Sequence, residues 1–488
     1  MLFNSIDFAI FLPIVFFLYW FVFNKSFKGQ NVLLLFSSYI FYGWWDWRFL
    51  FLIFLSTIID YSVGIGLEHY NKAKIRKGLV FLSILANLAI LGYFKYYNFF
   101  IENFVLAFRF FGTNIKPDSL EVVLPVGISF YTFQTLSYSI DVYRKKIRAS
   151  SDFVEFATYV TFFPQLVAGP IERASAFLPQ IAKARDFNYS NSVDGLRQML
   201  WGFFKKMVIA DNCAEYANLI FNNSEDYSGF ALFMGAIFFS VQIYGDFSGY
   251  SDIAIGTARL FGFNLMQNFA FPYFSRDIAE FWRRWHISLT TWFRDYVYIP
   301  LGGSKGGIFV KIRNTFIIFL LSGFWHGANW TFIFWGILNA IYFLPLLLMK
   351  KNRHHLEVVA SGKILPSAKE VLFMASTFLL STLAWIFFRA ENVGAAFVFI
   401  EEMLQGFLAK EGYVQTLNLI YWQIGYALPI ILICFFGFEW LGRESKYALE
   451  NLGKRWPSYL RQGIYILVVL SIVFFANDHT HQFIYFNF

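Results

Sequence analysis

Long apolar runs follow one another from the start of the chain to its end, separated by short clusters of Lys, Arg, Gly and Pro. Residues 8–23, 316–321 and 464–475 are continuous runs. A strand of a transmembrane barrel would instead alternate apolar and polar positions over about 10 residues. A helix crosses the hydrocarbon with roughly 20 apolar residues. The pattern therefore predicts an all-α polytopic membrane protein. Candidate spans lie at 8–23, 32–44, 49–66, 79–97, 122–140, 153–169, 199–221 and 230–263, then at 316–325, 330–349, 371–388, 420–438 and 464–475. Several are too short to cross alone. The expectation is about 11 spans with short re-entrant or interfacial helices, in a single integral-membrane domain over residues 1–488.

Basic clusters orient the spans, because Lys and Arg concentrate in cytoplasmic loops. Lys25 and Lys28 follow the first run; Lys72, Lys74, Arg76 and Lys77 follow the third. Arg144, Lys145, Lys146 and Arg148 mark another inner loop, as do Lys350, Lys351 and Arg353 and the stretch 443–455. This places the N-terminus outside. Asp7 is the only charge before the first run and no small-residue cleavage site follows, so that run reads as a span rather than a signal peptide.

Composition narrows the class further. The 488 residues are 57% hydrophobic and 15% charged. A soluble domain carries about 25% charge, so a disordered chain and an ordinary soluble enzyme are excluded. The net charge of +8 sits in the loop clusters, which is a topological signal and not one for nucleic acid. Cys213 and Cys434 are far apart and support neither a disulfide framework nor a metal cluster.

Three polar islands interrupt the apolar pattern. In residues 276–295 seven of 20 positions are charged: Arg276, Asp277, Glu280, Arg283, Arg284, Arg294 and Asp295. On a helix Glu280 can pair with Arg283 and Arg284, with His286 on a neighbouring part of that face. An interfacial amphipathic helix competes with a helix lining a polar cavity. The Pro and Gly pair that follow, in 295–303, favour the cavity, since broken backbone at membrane depth must be buried or line one. In the second island His326 stands between two apolar runs, beside Trp325 and Asn329, with Gly323 and Gly327 as a close-approach pair. Ionisable residues at that depth are functional by default, though a neutral imidazole costs less than a charge and a packing role competes. The third island, 244–252, holds Asp246, Tyr250 and Asp252, which the next segment's arginines can satisfy. Helix packing is the better reading of the Pro- and Gly-broken stretches 125–134 and 163–171.

Two intramembrane histidines suit general-base chemistry. An ordinary imidazole accepts a proton near neutral pH and needs no initial charge. It can deprotonate a hydroxyl attacking a thioester, while a second histidine or Asn329 stabilises the oxyanion. A metal site would want a third ligand at matched spacing, and none stands out. The chain lacks a GxSxG elbow, a Walker A loop, HExxH, CxxC and a dinucleotide fingerprint. His354 and His355 read as solvated, and His479 and His481 take no role.

The stretches WRRWHISLTTWFRDYVYIPLGG around His286 and SGFWHGANWTF around His326 resemble the membrane-bound O-acyltransferase family. Residues 125–144, 162–173, 246–256 and 482–488 look like its branch for bacterial alginate O-acetylation. The likeness covers essentially the whole chain. It implies a helical bundle around a central funnel, with His326 as catalytic base and His286 as the second signature position. Asn329, Arg283, Arg284, Asp295, Tyr250, Asp246, Asp252 and Trp325 are then candidates for the substrate or donor channel. The resemblance also implies acetyl-CoA as the acyl donor with no bound cofactor, an extracytoplasmic polysaccharide as acceptor, and a periplasmic SGNH-like acetyltransferase subunit as partner. The setting it implies is the bacterial inner membrane. D-alanyl transfer from a carrier-protein thioester and a non-catalytic transporter or scaffold are the alternatives.

Overall fold

A computed structural model describes residues 1–110, 123–167, 169–419, 421, 424–452, 456–476 and 483–484. His479 and His481 lie outside them, as does the 482–488 motif apart from Phe483 and Ile484. Most of the described residues are helical, and no strand occurs among them. Seven of their helices are long and apolar enough to cross a membrane: Phe49–His69, Ala73–Phe110, Gly229–Leu260, Ile308–His326, Trp330–Leu348, Ala368–Arg389 and Ser458–Phe475. Ile6–Val22 and Ala427–Gly442 are shorter apolar helices. This is a multi-pass membrane protein. The expected number of about 11 spans is not reached by that measure, because several apolar runs are short, polar or broken.

The run 153–169 is a clear case of a broken span. It divides into Phe153–Thr161 and the single turn Phe163–Leu166. Pro164 has no N–H to give the preceding turn, and it sits in the first turn of the new helix, where none is needed. The run 199–221 belongs to a continuous helical path, Tyr189–Phe203, a π-helical segment Phe204–Ala210 and Asp211–Asn222. Lys205, Lys206 and Asp211 lower its apolarity.

The chain divides into two compact units. The first comprises Met1–Gly195 with Thr257–Met266. Its core holds a polar knot around Asp60, on the helix Phe49–His69. Ser83 Oγ, Ser139 Oγ and Asn87 Nδ2 all donate to the Asp60 carboxylate, at 2.5, 2.7 and 2.7 Å. A buried carboxylate in an apolar setting must be satisfied in this way.

The second unit comprises Leu196–Gly256 with Gln267–Phe488. The helices Ile308–His326 and Trp330–Leu348 form a tight hairpin in it. A Cβ on Gly323 would lie 2.2 Å from the Phe332 carbonyl oxygen, and one on Gly336 would lie 2.4 Å from that of Phe319. Small residues thus let the two backbones touch, as expected for Gly323. Gly327 instead meets the Phe332 ring. Against this hairpin packs an aromatic core: the ring centroids of Trp282 and Trp335 are 5.6 Å apart, and those of Trp285 and Trp385 are 5.0 Å apart.

Residues 276–295 do not form the single helix that the charge spacing predicts. Two short helices, Ile278–Arg284 and Ile287–Phe293, meet at His286, whose φ of 42° is left-handed. Such a conformation is uncommon outside glycine and is held here by the contacts around it. Beyond Phe293 a π-helical segment, Arg294–Tyr298, leads into turns with Gly302 and Gly303 at positive φ. The expected break at 295–303 is therefore present.

Candidate active site

The turn between the two short helices carries His286 into the core, where it is 1% exposed. Asn268 holds it there. The Asn268 Oδ1 accepts from the Ser288 backbone N–H at 3.2 Å and from Ser288 Oγ at 2.9 Å. A backbone N–H can only donate, so this atom is the acceptor oxygen of the amide. His286 Nδ1 lies 3.2 Å from the same oxygen and must therefore be the protonated nitrogen. The ring is an Nδ1–H tautomer with its lone pair on Nε2. The Asn268 carbonyl also accepts the Ile287 N–H, and its Nδ2 reaches Ser251 Oγ at 3.1 Å.

His326 ends the helix Ile308–His326 and is 3% exposed. Its ring sits among Trp335 and Phe388, each at 5.2 Å between centroids. Trp325 lies between the two histidines, its ring 5.8 Å from His286 and 5.0 Å from His326. His286 and His326 line one narrow cavity, together with Trp282, Thr290, Phe319 and Ser322. Trp282, Thr290, Ile318 and Phe319 also line a second cavity of about 610 Å³. The second cavity is edged by Arg283, Arg294 and Arg353. The two spaces share those four residues as lining: a narrow neck at the histidine pair lies beside a roomy, basic chamber.

The remaining candidates are sorted by the same geometry. Arg283 and Arg294 reach the chamber, and Asp295 pairs with Arg294 at 2.7 Å. Arg284 turns away from the chamber: it pairs with Glu280 at 2.9 Å and donates to the carbonyl of Ala270. The expected Glu280–Arg283 pair is replaced by Glu280–Arg276, because Arg283 reaches backbone carbonyls instead. Asn329 caps the helix Trp330–Leu348. Its Oδ1 accepts the Thr331 N–H while its Nδ2 donates to the Glu391 carbonyl.

Asp246 and Asp252 neutralise no arginine of the following segment. Lys206 pairs with Asp246 and Asp211, each at 2.8 Å, and Lys205 pairs with Asp252 at 2.6 Å. Tyr250 lies over Lys206 and against Phe483. This cluster sits behind the site, not in it: Phe247, on the same helix, packs its ring edge on His286 at 4.6 Å.

Sequence reasoning missed Asn268, Ser288, Trp282 and Ser322. Asn268 leaves no periodic signal, because it acts on a residue 18 positions later through one side-chain oxygen. Replacing Asn268 by Leu is expected to release the tautomer and lower turnover about 10- to 100-fold, the usual cost of losing an orienting partner. Steady-state turnover beside a thermal melt checks this; unchanged turnover in a folded variant sinks the assignment.

The sequence profile of the membrane-bound O-acyltransferase family matches residues 45–388. A probable alginate O-acetylase of Pseudomonas aeruginosa is 39% identical over 90% of this chain and 82% of its own length. A peptidoglycan O-acetyltransferase of Helicobacter pylori is 33% identical over 100% of this chain and 98% of its own. A teichoic acid D-alanyltransferase of Streptococcus thermophilus is 29% identical over 50% of this chain and 62% of its own. A profile spanning most of the chain and relatives aligned almost end to end agree with the buried histidine pair: the chain belongs to the membrane-bound O-acyltransferase family and is an O-acyltransferase.

Proposed function

We propose that the protein carries an acetyl group from acetyl-CoA on the cytoplasmic side toward hydroxyls of an extracytoplasmic polysaccharide. The transfer is direct or passes through a periplasmic SGNH-like acetyltransferase, in the bacterial inner membrane with the N-terminus outside. The observation that carries this reading is the neck, where His286 and His326 line one cavity beside an arginine-edged chamber that shares Trp282, Thr290, Ile318 and Phe319 with it. Arg294 and Arg353 at that edge suit the phosphates of a nucleotide thioester, and the apolar neck suits its short acyl end. The two O-acetyl-transferring relatives align over nearly all of the chain, whereas the D-alanyl relative covers half of it.

The chemistry needs a base, an acceptor-orienting group and an oxyanion donor. His326 takes the proton from the attacking hydroxyl. The hydroxyl oxygen bonds to the thioester carbonyl carbon, the C–S bond breaks, and the proton passes to the leaving thiolate. His286, an Nδ1–H tautomer lining the same neck, orients the acceptor by accepting at Nε2 from a second, non-reacting hydroxyl. It has no N–H left to give an oxyanion. That donation falls to Trp282, which lines the neck and whose buried indole N–H has no protein partner among the described residues.

Purified protein in nanodiscs with labelled acetyl-CoA tests the reading. Release of CoA with label passing to polysaccharide or to a partner extract supports it. A protein that turns over a carrier-protein thioester and ignores acetyl-CoA would replace it with the D-alanyl-type reading. Trp282→Phe keeps the ring packing and deletes the N–H; it is expected to lower kcat about 100-fold, the typical cost of one oxyanion donor. An unchanged kcat in that variant removes Trp282 from the chemistry.

A further inference from the structure

Between the helices Trp330–Leu348 and Ala368–Arg389 the chain runs for 19 residues without a helix or strand. Backbone carbonyls in such a segment still require donors. Here the donors are arginine side chains. Arg283 Nη1 donates to the Asn352 carbonyl at 2.8 Å, and Arg283 Nη2 to that of His355 at 2.6 Å. Arg276 and Arg284 both reach the Glu357 carbonyl, at 2.6 and 3.3 Å. Arg443 donates to the carbonyls of Val359 and Ala360, at 3.0 and 2.9 Å, and to that of Lys363. From the other side, Glu370 accepts the Ala360 N–H and Glu444 accepts the Gly362 N–H.

The fastened segment is not remote from the site. Asn352, Arg353 and Leu356 line the chamber, so they sit beside or between the carbonyls that Arg283 holds. Arg283 comes from the helix Ile278–Arg284, which also supplies Trp282 to the neck. One helix thus shapes the neck with one residue and fixes the opposite wall with the next.

We propose that Arg283 is a positioning residue that fixes residues 352–355 as a rigid wall of the chamber and thereby places Arg353 to meet the anionic end of the donor. The donor half of this inference rests on the acetyl-CoA reading; the clamp itself does not. A guanidinium bridges two carbonyls through a planar fork, and an ammonium cannot reproduce that geometry. Arg283→Lys therefore separates two roles. If Arg283 only supplies charge to the donor, Lys replaces it. If it is a clamp, Lys fails much as Gln does.

Two measurements on the full-length protein in nanodiscs test this. The first is limited trypsinolysis, reading cleavage after Lys351 and Arg353. The clamp predicts slow cleavage in the wild type and about tenfold faster cleavage in both Arg283→Lys and Arg283→Gln, with the remaining chain intact. Wild-type cleavage rates in Arg283→Lys overturn the clamp, whatever the substrate proves to be. The second is a double-mutant cycle on KM for acetyl-CoA. Arg283→Gln and Arg353→Ala should each raise KM about tenfold, and the pair together little more than either alone, because one acts through the other. Multiplying effects overturn the coupling to Arg353. Faster cleavage with unaltered kinetics toward acetyl-CoA retains the clamp and rejects acetyl-CoA as its beneficiary.

Discussion

Replacing His326 by Ala is expected to reduce acyl transfer about 100- to 10,000-fold while the protein stays folded in the membrane. The range follows from what a positioned base contributes. Without it the hydroxyl must attack while still holding its proton, and the leaving thiolate receives none. Folding should survive, because His326 is the last residue of its helix and alanine favours a helix. Its ring contacts with Trp335 and Phe388 are lost, but those residues remain packed on Trp385, with centroids 5.7 and 5.2 Å away. CoA release from labelled acetyl-CoA, measured beside a melting curve, decides the matter. Equal label transfer in the variant and the wild type would move the chemistry to His286 or to a partner. His286→Ala is the useful companion. It should also lose turnover, and it removes the Nδ1–H that donates to Asn268 Oδ1, so its melt should fall as well.

The two histidines were legible because an ionisable side chain in an apolar run is conspicuous at any register. Their roles were not, because a role depends on which ring nitrogen carries the proton. That is decided by Asn268, which looks like an ordinary loop residue. Asn329 shows the converse. It stands three residues from His326 and so reads as catalytic, yet that position is also the start of the next helix, and the cap takes its side chain. Apolar length found the long spans well. It failed at 153–169, where one proline at the right offset splits a run whose hydropathy is unbroken. It also failed at 276–295, where the charge spacing fits a helix but His286 turns the backbone left-handed. A local backbone restraint decides the first place and tertiary contacts around His286 the second, which is the site.

The largest expected effect on stability is at Lys206, a residue hidden in the sequence inside the run 199–221. Its ammonium is 1% exposed and lies 2.8 Å from both Asp211 and Asp246. Removing one partner of a buried ion pair costs about 3–5 kcal/mol, because the other charge is left without compensation. Lys206→Met leaves two such carboxylates, so a loss at the upper end of that range is expected, enough to abolish folded protein in many membrane preparations. Asp246 holds more than Lys206: its Oδ2 accepts the Ile484 N–H at 2.6 Å, and its helix presents Phe247 to His286. The damage should therefore extend to the site. The remedy follows from the charge count: Lys206→Met combined with Asp211→Asn and Asp246→Asn removes one positive and two negative charges. Most of the lost stability should return, since no uncompensated ion remains at this position. Yield and melting temperature of the single and triple variants in the same detergent test this. A single variant that melts like the wild type would show that Asp211 and Asp246 are already neutral, and the cluster would then be a hydrogen-bonded network and not an ionic one.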